Sequence, residues 1–138
     1  MKLVYLSLIF TMLISSCTPV EVKGPVTPEL YRVIFTTYLD SNNEPTNDLK
    51  EISIKDERIY TFMRWNISTE KHNVGIIVSD GVGKIVHKSD RDFTPTDTDY
   101  NSWNWVTINE KVDKPGNWKF EIFMDGEKVA EKKLLVTP

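Results

Sequence analysis

The sequence predicts an all-β fold: an antiparallel sandwich of seven to eight short strands in two sheets. Three observations carry this. Short apolar stretches recur between residues 30 and 136, and most alternate every second residue, as half-buried strands do. Clusters of Gly, Pro, Asn and Asp punctuate them as turns do. No stretch of useful length has a helical period, and without strand–helix alternation a parallel sheet is not expected.

The chain begins with an address rather than a structural element. Lys2 is a short positive region, and residues 3–14 are apolar apart from Ser7 and Thr11. That run is too short to span a bilayer comfortably, so residues 1–16 read as a signal peptide. Ile14-Ser15-Ser16-Cys17 resembles the lipobox of bacterial lipoproteins. The resemblance implies cleavage before Cys17, a thioether-linked diacylglycerol on its sulfur, and an acylated amine. Two or three acyl chains, at about 0.8 kcal/mol per buried methylene, anchor a protein stably. The competing reading is an ordinary secretory signal with a cysteine near the cut. Thr18 rather than Asp follows Cys17, which resembles the outer-membrane default of Gram-negative lipoproteins. The expected location is the bacterial cell envelope, with the membrane as partner through the lipid on Cys17.

Residues 17–28 contain Pro19, Gly24, Pro25 and Pro28 and little periodicity, and read as a semi-rigid tether. At about 3.1 Å per residue, 18–28 would hold the following domain roughly 30 Å from the membrane.

Residues 29–138 are the folded domain. In 30–39, Tyr31, Val33, Phe35, Thr37 and Leu39 share one face; Arg32, Thr36 and Tyr38 lie opposite, with Ile34 breaking the pattern. Residues 40–48 form a polar loop, and Ile52 with Ile54 suggests a short strand. In 59–67, Ile59, Thr61, Met63, Trp65 and Ile67 line one face and Tyr60, Phe62, Arg64 and Asn66 the other. Residues 74–78, the turn Asp80-Gly81-Val82-Gly83 and residues 85–87 make a hairpin. Residues 89–101, polar and acidic, read as a long connection between sheets. In 103–108, Trp103 and Trp105 share one face and Val106 and Ile108 the other. Pro115-Gly116 turns the chain before Trp118, Phe120, Ile122 and Met124, which alternate with Lys119 and Glu121. Asp125-Gly126 suits the two positive-φ positions of a type I′ turn. Residues 129–136 return alongside. Leu134-Leu135 interrupts their alternation, which a bulge near 131–133 would reconcile.

Net charge is −3, and becomes −4 without residues 1–16, whose only charged side chain is Lys2. A mildly acidic chain without a basic stripe argues against nucleic acid. The single cysteine excludes an internal disulfide, so the core rests on packing.

No residue set announces catalysis. His72 and His87, the only histidines, sit at strand ends; no serine or cysteine motif stands beside them, and no metal-ligand spacing joins them. They read as partly exposed, although either could serve a hydrolase if a carboxylate lay nearby. Asp90, Asp92, Asp97 and Asp99 form an acidic segment that a calcium ion could stiffen, but the segment lacks the glycine and terminal glutamate of a calcium loop. No metal or cofactor is expected. Trp103 and Trp105, with Tyr100, Asn101 and Asn104, could form an aromatic platform for a glycan. The alternative puts Trp65, Trp105 and Trp118 in the core, with Trp103 capping its edge.

Residues 59–65, His72, Asp80-Gly81, Pro115-Gly116-Asn117-Trp118 and Asp125-Gly126 together resemble the immunoglobulin-like domains of bacterial envelope proteins. In that family a Pro-Gly-x-Trp turn opens the penultimate strand and a final hairpin closes the sandwich. The resemblance spans about residues 30–136 and implies an immunoglobulin-like antiparallel sandwich and an envelope location, not an activity. The expectation is therefore a non-enzymatic, lipid-anchored accessory module with an envelope protein partner. A glycan- or small-ligand-binding module is the alternative.

Overall fold

The computed structural model describes residues 27–138; the signal peptide, Cys17 and nearly all of the tether lie outside them. Eight strands follow in order: β1 (Glu29–Thr36), β2 (Glu51–Ser53), β3 (Arg58–Asn66), β4 (His72–Ser79), β5 (Ile85–Phe93), β6 (Asp99–Thr107), β7 (Gly116–Met124) and β8 (Glu127–Thr137). They form a three-stranded sheet, β1-β3-β6, and a five-stranded sheet, β2-β8-β7-β4-β5.

The core fills the space between the sheets. Ile59, Thr61, Met63, Trp65 and Ile67 are all buried, as their alternation requires. Trp118, Phe120, Ile122 and Met124 face them from β7, and Phe35 meets Phe120 with ring centroids 4.7 Å apart. Both core indoles find acceptors: Trp65 Nε1 donates to Ser102 Oγ at 2.9 Å and Trp118 Nε1 to the Lys114 carbonyl at 2.8 Å. Asp125 and Gly126 both have positive φ, 52° and 84°, between the paired residues Met124 and Glu127, as a type I′ turn demands.

Four details depart from the sequence reading. β1 ends at Thr36 rather than 39, and its register shifts between Leu30 and Arg32. The bulge ejects Tyr31 from the inward face; its hydroxyl donates to Asp99 Oδ1 at 2.6 Å, while Leu30, Val33 and Phe35 stay inward. In β8 no bulge occurs at 131–133. Leu134 and Val136 are buried and Leu135 is exposed, so alternation simply continues, and the register shift falls at Val129 instead. Residues 89–101 are not a long connection. β5 runs to Phe93 and β6 starts at Asp99, because an edge strand paired on one side has no need of apolar alternation. Finally, β2 pairs parallel with β8, Ile52 opposite Val136. Parallel neighbours need a crossover connection, and here β3 to β7 lie within it.

The polar loop after β1 is a cover rather than a free excursion. Glu44 pairs with Arg64 at 3.2 Å, Thr36 Oγ1 donates to Asn47 Oδ1 at 2.7 Å, and Leu49 N donates to the Phe35 carbonyl at 2.9 Å. Ile34, Thr36 and Phe62, which point away from the core, are buried on that side.

At one end of the sandwich two turns lock together. Asp80, buried, accepts the Val82 and Lys84 amides on Oδ1 (3.1 and 3.0 Å) and the Lys114 amide on Oδ2 (3.0 Å). A Cβ on Gly81 would stand 1.8 Å from the Pro115 carbonyl oxygen, so only glycine allows this approach.

Candidate functional site

The alternation of β6 decides where its aromatic residues go. Trp103 and Trp105 are cross-strand partners of Phe62 and Tyr60 and point outward with them; Tyr100 and Asn104 partner Trp65 and Thr61 and point inward. Asn101, opposite Arg64, points outward with the two tryptophans, so the five candidate residues do not share one face. Trp105 is not a core residue: it is 48% exposed. The sequence could not separate the two faces of β6 because both carry apolar side chains.

On the outer face Trp103 stacks over Phe62, with centroids 6.5 Å apart and planes 7° from parallel. Trp105 lies tilted against Tyr60 at 6.4 Å. The Arg58 guanidinium stands 5.8 Å from both the Tyr60 and the Trp105 ring centres, and its Nη1 donates to the Tyr60 hydroxyl at 3.0 Å. The result is a braced Arg–Tyr–Trp cluster. The outer face of the other sheet is different. There Lys119, Lys128, Glu121 and Glu131 form a lattice of ion pairs at 3.1 to 3.9 Å, a surface suited to water. Hydrogen bonds and charge from Lys128 and Lys119, exceeding the effect of burial, hold the Glu121 pKa down.

Behind β6, Trp103, Asn104 and Trp105 line one wall of a cleft of about 230 Å³ that opens between the edges of β5 and β6. Asn104 Nδ2 donates to Ser89 Oγ at 2.9 Å across the gap, and His87 Nε2 lies 3.2 Å from the same oxygen. Burial lowers the His87 pKa against an opposing contact from Asn104. Tyr100 is apart from this cleft, stacked on Phe93 at 5.1 Å.

His87 is partly exposed, as the sequence suggested, but His72 is not. His72 is buried, and a serine does stand beside it. Its Nδ1 is 2.7 Å from Asp125 Oδ2, and its Nε2 is 3.0 Å from both the hydroxyl and the carbonyl oxygen of Ser68. The only sequence signal was Ser68 four residues before His72; Asp125 is distant in the chain. The arrangement has the connectivity of a serine–histidine–aspartate triad, but its hydrogen bonds make a clasp. The Asp125 carboxylate and the Ser68 carbonyl both only accept, so both contacts are hydrogen bonds only if each ring nitrogen carries a proton; a ring protonated on Nδ1 alone would instead accept the Ser68 hydroxyl on Nε2. The cavity beside Asp125 is lined by Thr27, Pro28, Met124, Glu127 and Val129, without Ser68 or His72. Asp125 also accepts the Asn73 amide at 2.8 Å. Burial raises its pKa, and the hydrogen bonds from His72 and Asn73 outweigh that and hold it low. The clasp thus ties the β3–β4 connection to the β7–β8 turn.

The acidic residues do not converge. Asp92 meets Lys71 and Asn73, Asp99 takes the Tyr31 hydroxyl, Asp97 accepts the Asp99 amide, and Asp90 projects from β5. Among the described residues no group of three His, Cys, Asp or Glu is placed to hold a metal.

No family model and no curated protein matches the chain. Among solved structures, an immunoglobulin-like protein from Pseudomonas aeruginosa matches with a TM-score of 0.56 at 11% identity, covering 80% of this chain and 97% of that one. The fold is an immunoglobulin-like β-sandwich. At that identity the likeness carries architecture alone. This immunoglobulin-like domain carries the braced Arg58–Tyr60–Trp105 cluster outside its smaller sheet and the cleft behind it.

Proposed function

We propose that the chain is a lipid-anchored accessory module of the bacterial envelope that binds a protein partner without catalysis, through the outer face of β1-β3-β6. The observation that carries this is Trp105: half exposed, tilted on Tyr60 and held beneath Arg58. Tryptophan, tyrosine and arginine dominate the energetic centres of protein interfaces, and bracing reduces the entropy lost when such a side chain is fixed by a partner. The lipobox-like Ile14-Ser15-Ser16-Cys17 supports the anchor. The domain begins at Glu29, opposite Asn66, so the tether would join at the end carrying the His72 clasp. The Asp80 end would then point away from the membrane.

A photo-crosslinking side chain at position 105 tests this in the anchored protein. A discrete adduct is expected at 105, absent when the same group sits at 133 on the other sheet and lost in Arg58→Ala. Equal labelling at both positions would overturn the assigned face. Cys17→Ser is expected to release the chain from membranes, and unchanged membrane association would remove the anchor.

A second reading, a small-ligand module, is favoured by one observation: the cleft lined by Trp103, Asn104 and Trp105.

A further inference from the structure

A strand at the border of a sheet offers unpaired amides and carbonyls to any other strand, and folded proteins blunt such borders with shortness, charge, proline or a bulge. Among the described residues, every free edge but one is blunted in these ways. β1 has the bulge at Tyr31, and β2 has three residues. β5 leaves Val86 unpaired and carries Lys88, Asp90, Arg91 and Asp92. The part of β8 that β2 leaves uncovered skips Val129 and carries Glu127, Lys128, Glu131, Lys132 and Lys133. β6 has no such guard. All nine of its residues pair with β3 in one unbroken register. It contains no lysine, arginine or proline, and its one charge, Asp99 at the first position, takes the Tyr31 hydroxyl.

The two ends of the β3–β6 ladder show which way its backbone groups point. The Ile67 amide donates to the Thr98 carbonyl at 2.9 Å, and the Ile108 amide to the Glu57 carbonyl at 3.0 Å. Both couples continue the β3–β6 register, and in an antiparallel ladder hydrogen-bonded pairs alternate with non-bonded ones. The even-numbered residues of β6 therefore bond to β3. Asn101, Trp103, Trp105 and Thr107 turn their amides and carbonyls to the open side, and none of the four is buried. Asp99 belongs to the same series, but Asp97 Oδ1 already takes its amide at 3.3 Å. The inward side chains have the same order in both directions: Tyr100 and Val106 outermost, polar Ser102 and Asn104 between them.

We infer that β6 pairs antiparallel with β6 of a second copy of this chain, about a two-fold axis through Trp103. The pairing joins two three-stranded sheets into one of six strands. Main-chain hydrogen bonds from the open side supply the affinity, as in other strand additions, and the two-fold makes the contact close on itself. In this register Trp103 faces its own counterpart, Asn101 faces Trp105, Tyr100 faces Val106 and Ser102 faces Asn104. On the inward side like meets like. On the outward side two indoles meet at the axis, a cross-strand pairing that stabilises a ladder. Asp99 faces Thr107, so no like charges are opposed. An axis at Asn104 or at Ser102 would instead oppose Val106 to Ser102 or Tyr100 to Asn104. This self-complementarity selects a second copy over an unrelated strand, which needs no such symmetry. The pairing goes beyond the accessory-module reading: it leaves the outer face of β1-β3-β6 open and does not depend on a partner there.

Sedimentation of the full chain in detergent, with micelles in excess over protein, and cysteine crosslinking in membranes test this. Wild type is expected at the mass of two chains. Trp103→Lys, which opposes like charges at the axis, is expected at the mass of one with its circular dichroism unchanged. Oxidation is expected to join Trp103→Cys chains to each other, since hydrogen-bonded partners in an antiparallel ladder have Cα atoms about 5.5 Å apart, within disulfide reach. Asn101→Cys mixed with Trp105→Cys is expected to crosslink while neither does so alone, which keeps the test intact if Trp103 variants fail to fold. Wild type, whose one cysteine is Cys17, is the blank. A single-chain mass for wild type would overturn the pairing. Dimers that persist in Trp103→Lys, or that crosslink through Lys133→Cys rather than Trp103→Cys, would overturn the assigned edge. Asn101→Cys joined to itself would overturn the register. A crosslink from position 103 to a different protein would put a foreign strand there and overturn the second copy.

Discussion

Replacing Asp80 probes the end of the sandwich where two turns meet. One buried carboxylate there accepts three backbone amides, from Val82, Lys84 and Lys114. Asp80→Asn keeps an oxygen for Val82 and Lys84 but sets an amide NH₂ against the Lys114 N–H, donor against donor. An unsatisfied buried donor costs about 1–3 kcal/mol, so the expected loss is about 2 kcal/mol at pH 7. Asp80→Ala strips all three amides of their acceptor. Water reaches them in part, since Val82, Lys84 and Lys114 are exposed, so the loss is about 3–5 kcal/mol rather than the full sum. Against a typical domain stability of about 5–15 kcal/mol, the alanine protein is marginal.

The pH dependence carries a sign of its own. Burial raises the Asp80 pKa, but the amides of Lys114, Lys84 and Val82 and the Lys84 charge outweigh it, so the carboxyl titrates below its ordinary 3.8 when folded. Its contribution is therefore complete above the unfolded pKa and is lost as pH falls through the folded one. Urea unfolding of wild type and Asp80→Asn at pH 7 and at pH 3 is the assay. The gap between them is expected to narrow on acidification. A neutral-pH gap below about 0.5 kcal/mol, the range of an ordinary surface substitution, or one that widens in acid, would refute the reasoning.

Three other outcomes are expected. Gly81→Ala forces the backbone away from Pro115 and costs about 3 kcal/mol, a fall in Tm of about 10 °C or more by calorimetry; a stable, unshifted protein would contradict the close approach. Trp105→Ala loses only exposed contacts and a cation–π pairing, less than about 1 kcal/mol, whereas Trp118→Ala loses about 3–5 kcal/mol from the core; equal losses in chemical denaturation would mean the two indoles had been placed wrongly. His72→Ala costs about 2 kcal/mol through its buried hydrogen bonds, while Ser68→Ala leaves p-nitrophenyl acetate turnover at the wild-type level; a wild-type rate abolished in Ser68→Ala would make the clasp a catalytic triad.

Much of the fold was legible because its central strands obey a period of two. Residues 59–67 and 118–124 place five and four inward side chains in the core as written, and Asp125-Gly126 announces its turn. What escaped notice lay at edges and over distance. β5 hides its length because His87, Ser89 and Arg91 occupy inward positions that an apolar strand would mark. β6 is apolar on both faces, so its tryptophans could be assigned outward only after the register with Tyr60 and Phe62 was known. The clasp joins residues 53 positions apart, His72 and Asp125, and no local pattern links them. The bulge at Tyr31 reverses one side chain without any glycine or proline to signal it.

The parallel pairing of β2 with β8 bears on how the chain reaches this state during synthesis. β8 emerges after every other strand, yet its place is inside the larger sheet, between β2 and β7. Until it arrives, β2 has no partner, and Trp118 and Phe120 lack the strand that flanks them. A nascent chain growing from its amino terminus therefore cannot complete its larger layer in chain order. β7, β4 and β5 can pair without β8, but β2 joins that layer only once β8 is available to lie between β2 and β7.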